Sequence, residues 1–206
     1  MIRRELFGGG DARFVGMIAW RSVVPIEKVP KDISRDKATN WIGADGHVVH
    51  YPLRAGRLMN FVGIQERADW QVESWTVEGS AEECARDHAG WHRDVQALTG
   101  AAPVLFKWAL AGHDPMPAWT RGHVTLLGDA CHPTLPMLAP GRRHGARGRL
   151  IRGRCFDSYG APPTALARYQ DACIAVTPRR VAGANDNVGR FYLTCAQCPS
   201  QSRRLG

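Results

Sequence analysis

The sequence predicts an α+β fold, a mostly antiparallel sheet with a helix packed on it, and three observations predict it. Gly46–Leu53, Leu58–Gly63 and Trp70–Thr76 are closely spaced β-rich runs. Their connections, Arg54-Ala55-Gly56-Arg57 and Gln65–Asp69, are too short to cross over between parallel strands, so the runs form an antiparallel meander. Ser80 to Gly100 carries a helix start, an apolar stripe and a stop. Val124–Leu127, a proline-rich loop and the Pro163–Val176 stretch read as strand, loop and helix.

Composition is that of a folded globule. The 206 residues are 44% hydrophobic and include seven tryptophans, enough for a substantial core. No run of about 18 apolar residues is present, which excludes a helical membrane span. The opening Met-Ile-Arg-Arg-Glu-Leu-Phe-Gly lacks an apolar signal core. Six scattered cysteines (84, 131, 155, 173, 195 and 198) favour reduced thiols and a cytoplasmic location over a disulfide framework. The net charge of +8 is local: six arginines lie between Arg142 and Arg154 with no acid among them. Without these six, 21 basic residues face 19 acidic ones.

In chain order, the first residues read as a helix end running into the Gly8-Gly9-Gly10 turn. Phe14 to Val24 is apolar and β-rich, a strand closed by Pro25 and Pro30. Lys31 to Asn40 is polar, a surface loop or short helix. After the three-strand meander, Ser80-Ala81-Glu82-Glu83 has capping-box spacing, and Cys84, His88, Trp91, Val95 and Leu98 recur at helical spacing to give a core face. His88 and His92, four apart, could share a metal, but no third ligand is evident and none is expected. Cys195-Ala196-Gln197-Cys198 is half a zinc site without its second pair. Pro103 to Leu110 reads as another strand, and Asp114–Trp119 as a linker. In the last helix Leu166, Tyr169, Cys173 and Val176 share one face.

The most informative run is Val124-Thr125-Leu126-Leu127-Gly128-Asp129-Ala130-Cys131-His132-Pro133-Thr134-Leu135-Pro136-Met137-Leu138-Ala139-Pro140-Gly141. A short buried strand ends abruptly at Gly128-Asp129, and three prolines then enforce a stiff, non-helical loop. Ligands of open α/β sheets sit just beyond strand C-termini, where a carboxylate accepts hydrogen bonds from a polyol. The run resembles the second flavin-binding motif of the FAD-dependent aromatic-ring monooxygenases, the class of salicylate and hydroxybenzoate hydroxylases. Trp20-Arg21-x-x-Val24-Pro25, Gly46–Leu53, Asn60-Phe61-Val62-Gly63, Glu73-Ser74-Trp75-Thr76, Gly90-Trp91-His92 and Lys107-Trp108-Ala109-Leu110 resemble its substrate-domain sheet. The likeness covers roughly residues 1–141 and resumes at 155–191.

The resemblance implies a substrate-binding sheet domain over 1–115, the returning C-terminal strand–loop–helix part of an α/β FAD-binding domain over 116–192, and a tail over 193–206. It implies FAD as cofactor, NADH or NADPH as reductant, and a phenolic or heteroaromatic ring as substrate. Gly128, Asp129, Pro136, Leu138, Ala139 and Gly141 would bind the flavin, with Asp129 on the ribityl chain. His47 and Tyr51, at positions i and i+4 of one strand, share a face. The resemblance gives them the catalytic role, since activating a phenol requires a group to accept its proton.

The chain departs from the family at two places. No Gly-x-Gly-x-x-Gly unit for the pyrophosphate occurs in it, so the resemblance implies a truncated chain, inactive alone or completed by a partner subunit bearing that unit. Residues 142–154, with two early glycines and six arginines, replace the apolar helix expected after Gly141 and are expected to be disordered or solvent-exposed. An arginine-rich module binding nucleic acid is the alternative for this segment. Codons CGG-CGC-CAT-GGC-GCT-CGA-GGA-CGG would encode its opening Arg-Arg-His-Gly-Ala-Arg-Gly-Arg, and one base on they read Gly-Ala-Met-Ala-Leu-Glu-Asp, the family's pattern. A local frame displacement restored near Cys155 is the hypothesis for this segment, permitted by that choice of codons. Sequencing the coding DNA checks it: codons with no such reading in a shifted frame remove the idea.

Overall fold

A computed structural model describes residues 2–43, 45–67, 69, 77–114, 116–131, 133, 135 and 141–175, the side chains of 141–146 excepted. Among them, residues 14–110 form one compact unit, and the described residues before and after form another. The architecture mixes helix with antiparallel sheet, as the sequence predicts. The Trp70–Thr76 strand and the tail with its Cys-x-x-Cys lie outside the described residues.

The first unit is built on a five-stranded sheet ordered β2-β3-β4-β1-β5. Its strands are β1 (Arg13–Pro25), β2 (Thr39–Ile42), β3 (Gly46–Leu53), β4 (Leu58–Glu66) and β5 (Phe106–Gly112). The β2–β3, β3–β4 and β4–β1 pairs are all antiparallel. β2 is missing from the sequence prediction, which read it as the end of a polar stretch. Four residues behind a charged segment are too few for the alternation to show.

Register fixes which side chains share a face. Trp20, Gly63, Val48 and Trp41 form one cross-strand row, and Ser22, Phe61, His50 and Thr39 the next. Trp20, Trp41, Val48 and Phe61 join Cys84, Val95 and Leu98 in the core. Those last three come from helices α2 (Ala81–Asp87) and α3 (Arg93–Gly100), so the helices cover this face. Fully burying a large apolar side chain is worth about 1.5–3 kcal/mol.

The single helix predicted over Ser80–Gly100 is broken in two. Ser80 caps α2 as its spacing predicts, its hydroxyl accepting from the Glu83 amide at 3.1 Å. Gly90, with φ of +78°, then turns the chain through the left-handed region and ends the run. His92 restarts it, its Nδ1 accepting from the Asp94 amide at 3.2 Å. His88 donates from Nδ1 to the Cys84 carbonyl at 2.8 Å, and His92 stacks on Trp41. The two imidazoles make separate structural contacts.

A charged cluster ties α2 to the sheet. The Arg67 guanidinium pairs with Asp87 at 2.7 Å and Glu83 at 3.2 Å, while Asp87 also accepts from Trp20 Nε1 at 2.7 Å. Lys107, almost fully buried, pairs with Glu83 and lies over the Trp20 ring at 5.5 Å. Hydrogen bonds to Asp69 first, and the Asp87 charge next, hold the Arg67 guanidinium more firmly protonated than usual.

In the second unit, helix α1 (Ile2–Phe7) leads to the glycine turn, and β6 (Thr120–Arg121) pairs with β7 (Val124–Thr125). Helices α4 (Gly141–Tyr159) and α5 (Pro162–Ile174) follow. α4 corrects the sequence reading: residues 142–154 are helical. Arginine is a good helix former, and Gly148, Ile151, Cys155 and Phe156 make the stripe that the arginines obscure. Gly148 is needed there, because a Cβ would stand 3.1 Å from the Leu127 side chain. Arg147, Arg149 and Arg154 are exposed and Arg152 is half-buried. Leu166, Tyr169 and Cys173 are buried on α5, as predicted; Val176 lies outside the described residues.

A close fit in the first unit is at Gly63, where a Cβ would stand 2.6 Å from His88 Nε2 and 3.1 Å from Phe61 Cζ. Gly63→Ala is expected to lower the urea unfolding free energy by about 1–3 kcal/mol through overpacking. Adding His88→Ala should return part of that loss; no recovery would show that His88 is not the obstacle.

Candidate functional site

The residues singled out by sequence fall into two groups, one in each unit. The first group is on the sheet face that points away from α2 and α3. Here the rows are Ala19, Ile64, His47 and Ile42; then Arg21, Val62, Val49 and Asn40; then Val23, Asn60 and Tyr51. His47 and Tyr51 therefore share a face, with the Val49 row between them. His50 points the opposite way, its Nδ1 accepting from Trp41 Nε1 at 3.3 Å.

The two differ in setting. His47 is 5% exposed and flanked across the strands by Ile64 and Ile42. Tyr51 is 37% exposed. Four strand residues separate them by about 13 Å along the backbone, so they are not a hydrogen-bonded pair. Burial pushes the His47 imidazole down to about 4, which leaves it neutral near pH 7. A neutral imidazole offers one acceptor and one donor nitrogen, and an anion formed beside it would raise its basicity. Arg21, exposed on the same face, places its guanidinium 5.8 Å from the Trp108 ring centre.

The second group surrounds Asp129. The predicted strand Val124–Leu127 is shorter than expected: the β7 ladder covers Val124–Thr125, and Val124 is exposed. The Leu126 amide makes the last bond, to the Trp119 carbonyl at 2.9 Å, before the facing chain reaches Pro117, which has no amide hydrogen. Among the described residues this strand pairs antiparallel, with β6.

Gly128 has φ of +63°, which a side chain would oppose, and Gly128–Ala130 is a tight 3₁₀ turn that leaves Asp129 exposed. Its carboxylate meets no partner among the described residues. The turn is held from beneath. The Gly128 carbonyl accepts from both the Cys131 amide at 3.1 Å and the Cys131 thiol at 3.2 Å. Tyr169 Oη donates to the Leu126 carbonyl at 3.4 Å. Burial pushes the Cys131 thiol up to about 12 and raises the Tyr169 hydroxyl as well, so both stay protonated donors. Neither was singled out for this site by sequence; Cys131's place directly after Gly-Asp-Ala was the available signal.

Pro136, Leu138 and Ala139 lie outside the described residues, and Gly141 opens α4.

No family model matches the chain. It is 34% identical over 169 residues to 6-hydroxynicotinate 3-monooxygenase of Pseudomonas fluorescens, covering 81% of this chain and 44% of that enzyme. It is 33% identical over 169 residues to a 3-amino-4-hydroxybenzoate 2-monooxygenase of Streptomyces platensis, covering 82% and 43%. Its homologues are aromatic-ring monooxygenases. It corresponds to the C-terminal part of these proteins and spans somewhat less than half the length of both. Solved structures share its fold. A salicylate hydroxylase in complex with its substrate superposes with a TM-score of 0.78 at 20% identity, covering 91% of this chain and 50% of that one. HpxO of Klebsiella pneumoniae, complexed with FAD and uric acid, gives 0.80 at 23% identity, with 95% and 50% covered.

The buried His47 has a consequence for stability. Its imidazole ionises near 6.5 when unfolded and near 4 when folded, so as pH falls the unfolded chain takes the proton first. Stability is present above pH 6.5 and lost on the way to pH 4, by about 3 kcal/mol from this residue. Urea unfolding at pH 7 and pH 4.5 should show a larger drop for the native chain than for His47→Gln; equal drops would contradict the assignment.

Proposed function

We propose that the chain forms the substrate-binding sheet and the C-terminal flavin-holding part of an FAD-dependent monooxygenase that hydroxylates a small phenolic or heteroaromatic ring, with NADH or NADPH as reductant. Support comes from its relatives, named for hydroxylating hydroxybenzoates and hydroxynicotinate, and from related structures that carry FAD. The single observation that carries the reading is the Asp129 turn: an exposed carboxylate with no partner among the described residues, on a 3₁₀ turn, inside the motif that resembles the family's ribityl grip.

The residues present fit that cofactor. An ionised Asp is acceptor-only, with two oxygens, which suits neighbouring hydroxyls of a polyol. Gly128 leaves open space where a Cβ would project. Gly141 at the start of α4 presents free amides and the positive end of a helix dipole to whatever lies against it. Pro136, Leu138 and Ala139 complete the proposed flavin-holding set. FAD bound there would supply the redox and oxygen-transfer chemistry; the protein supplies binding and orientation.

On the sheet face, His47 accepts or shares the phenolic proton of the substrate, its neutral state secured by burial. Tyr51 lies four residues further along the same face, exposed enough to meet a ring directly. The apolar neighbours Ala19, Ile42 and Ile64 keep water from His47, so a hydrogen bond it shares with a phenol meets little competition from solvent.

Titrating the purified chain with FAD and following flavin fluorescence tests the cofactor reading. The native chain is expected to bind, and Asp129→Ala to weaken binding at least tenfold, about 1.4 kcal/mol, with an unchanged circular dichroism spectrum. Equal affinity of the two proteins would sink the assignment of Asp129.

A further inference from the structure

We propose that Arg3 is the positioning residue for the Asp129 turn, a cation inserted beneath the backbone to fix the peptide after Asp129. The inference rests on the reading of that turn as the cofactor grip, and it concerns what holds the grip in shape. Arg3 is on α1, far from Asp129 in sequence. Its guanidinium nevertheless donates from one terminal nitrogen to the Ala130 carbonyl at 3.4 Å and from the other to the Asp114 carbonyl at 3.4 Å.

Three features set this arginine apart from the exposed ones nearby. Arg4 and Arg13 pair with Asp11 and Asp114, whereas Arg3 meets no carboxylate among the described residues. Its Nε is buried without a hydrogen-bond partner. A half-buried cation spent on two backbone carbonyls is costly unless the carbonyls need it. The second unit also makes room for it: a Cβ on Gly9 would stand 2.6 Å from Arg3 Cγ and 2.7 Å from Nε. The glycine turn after α1 is thereby explained as clearance for the arginine stem.

The division of labour around the turn gives Arg3 its role. Tyr169 and Cys131 hold the Leu126 and Gly128 carbonyls, both before Asp129. Among the described residues Arg3 is the side chain that reaches a carbonyl after it. Without Arg3 the Ala130–Cys131 peptide keeps its amide bond to Gly128 but loses the hold on its carbonyl, and a tilt there re-aims the Asp129 side chain and uncovers Cys131, which is fully buried.

Cysteine alkylation reads this directly, without cofactor. In Arg3→Met the rate of Cys131 labelling by iodoacetamide is expected to rise about tenfold, with Cys155 and Cys173 unchanged. Gly9→Ala, which displaces the stem, should act in the same way, and the double variant should add nothing. Arg3→Lys, which keeps the charge and loses the fork, should fall between. FAD affinity should fall about tenfold in Arg3→Met with Asp129 intact. Unchanged Cys131 labelling in both Arg3→Met and Gly9→Ala overturns the proposal, as does an equal rise at all three cysteines, which reports general loosening. If the native chain binds no FAD and Cys131 still responds selectively, the cofactor reading falls and Arg3 stands as the residue that holds the turn.

Discussion

The pleat of the antiparallel sheet is the constraint on which the first unit depends. Alternation sends Trp20, Trp41, Val48 and Phe61 to one side, where α2 and α3 bury them, and it necessarily sends Ala19, His47 and Ile64 to the other. A slip of one residue in any of these strands would exchange the two sets. The register is secured from several directions: tight packing of Gly63 under His88, the Trp41–His50 hydrogen bond, and the Arg67–Asp87–Glu83–Lys107 cluster that anchors α2. His47 owes both its place and its neutral state to this arrangement. Burial is what lowers the basicity of its imidazole.

The Asp129 turn works on the opposite principle. There the functional group is exposed and its support is buried. A glycine in the left-handed region shapes the turn, a protonated thiol, a tyrosine hydroxyl and an arginine hold its backbone carbonyls, and the carboxylate is left without a partner among the described residues. A rigid turn with an unspent acceptor is what recognition of a polyol requires, because the ordering cost has been met in folding rather than in binding.

Much of this was legible in the sequence, for reasons that differ by element. β3 matches its predicted bounds because its alternation is strong and its flanks are Gly46 and the Arg54–Arg57 turn. α5 was readable from a stripe uninterrupted by glycine. The break between α2 and α3 was hidden because the apolar residues keep helical spacing straight across Gly90, whose left-handed backbone no periodicity reveals. α4 was hidden by its own arginines: charge on the exposed side drew attention from Gly148, Ile151, Cys155 and Phe156 on the packed one. Arg3 carried no signal at all, since its partners are backbone carbonyls more than a hundred residues away. The parity of His47 and Tyr51 followed from counting, whereas the contrast in their burial depended on cross-strand neighbours that only the register supplies.

A crystal structure of the chain grown with FAD and a hydroxybenzoate tests the central claim most directly. The account predicts ribityl hydroxyls within about 3 Å of the Asp129 carboxylate, and the ring hydroxyl at the same distance from a His47 nitrogen. Flavin bound away from the Asp129 turn, or a ring lying on another surface than the His47 face, would contradict it.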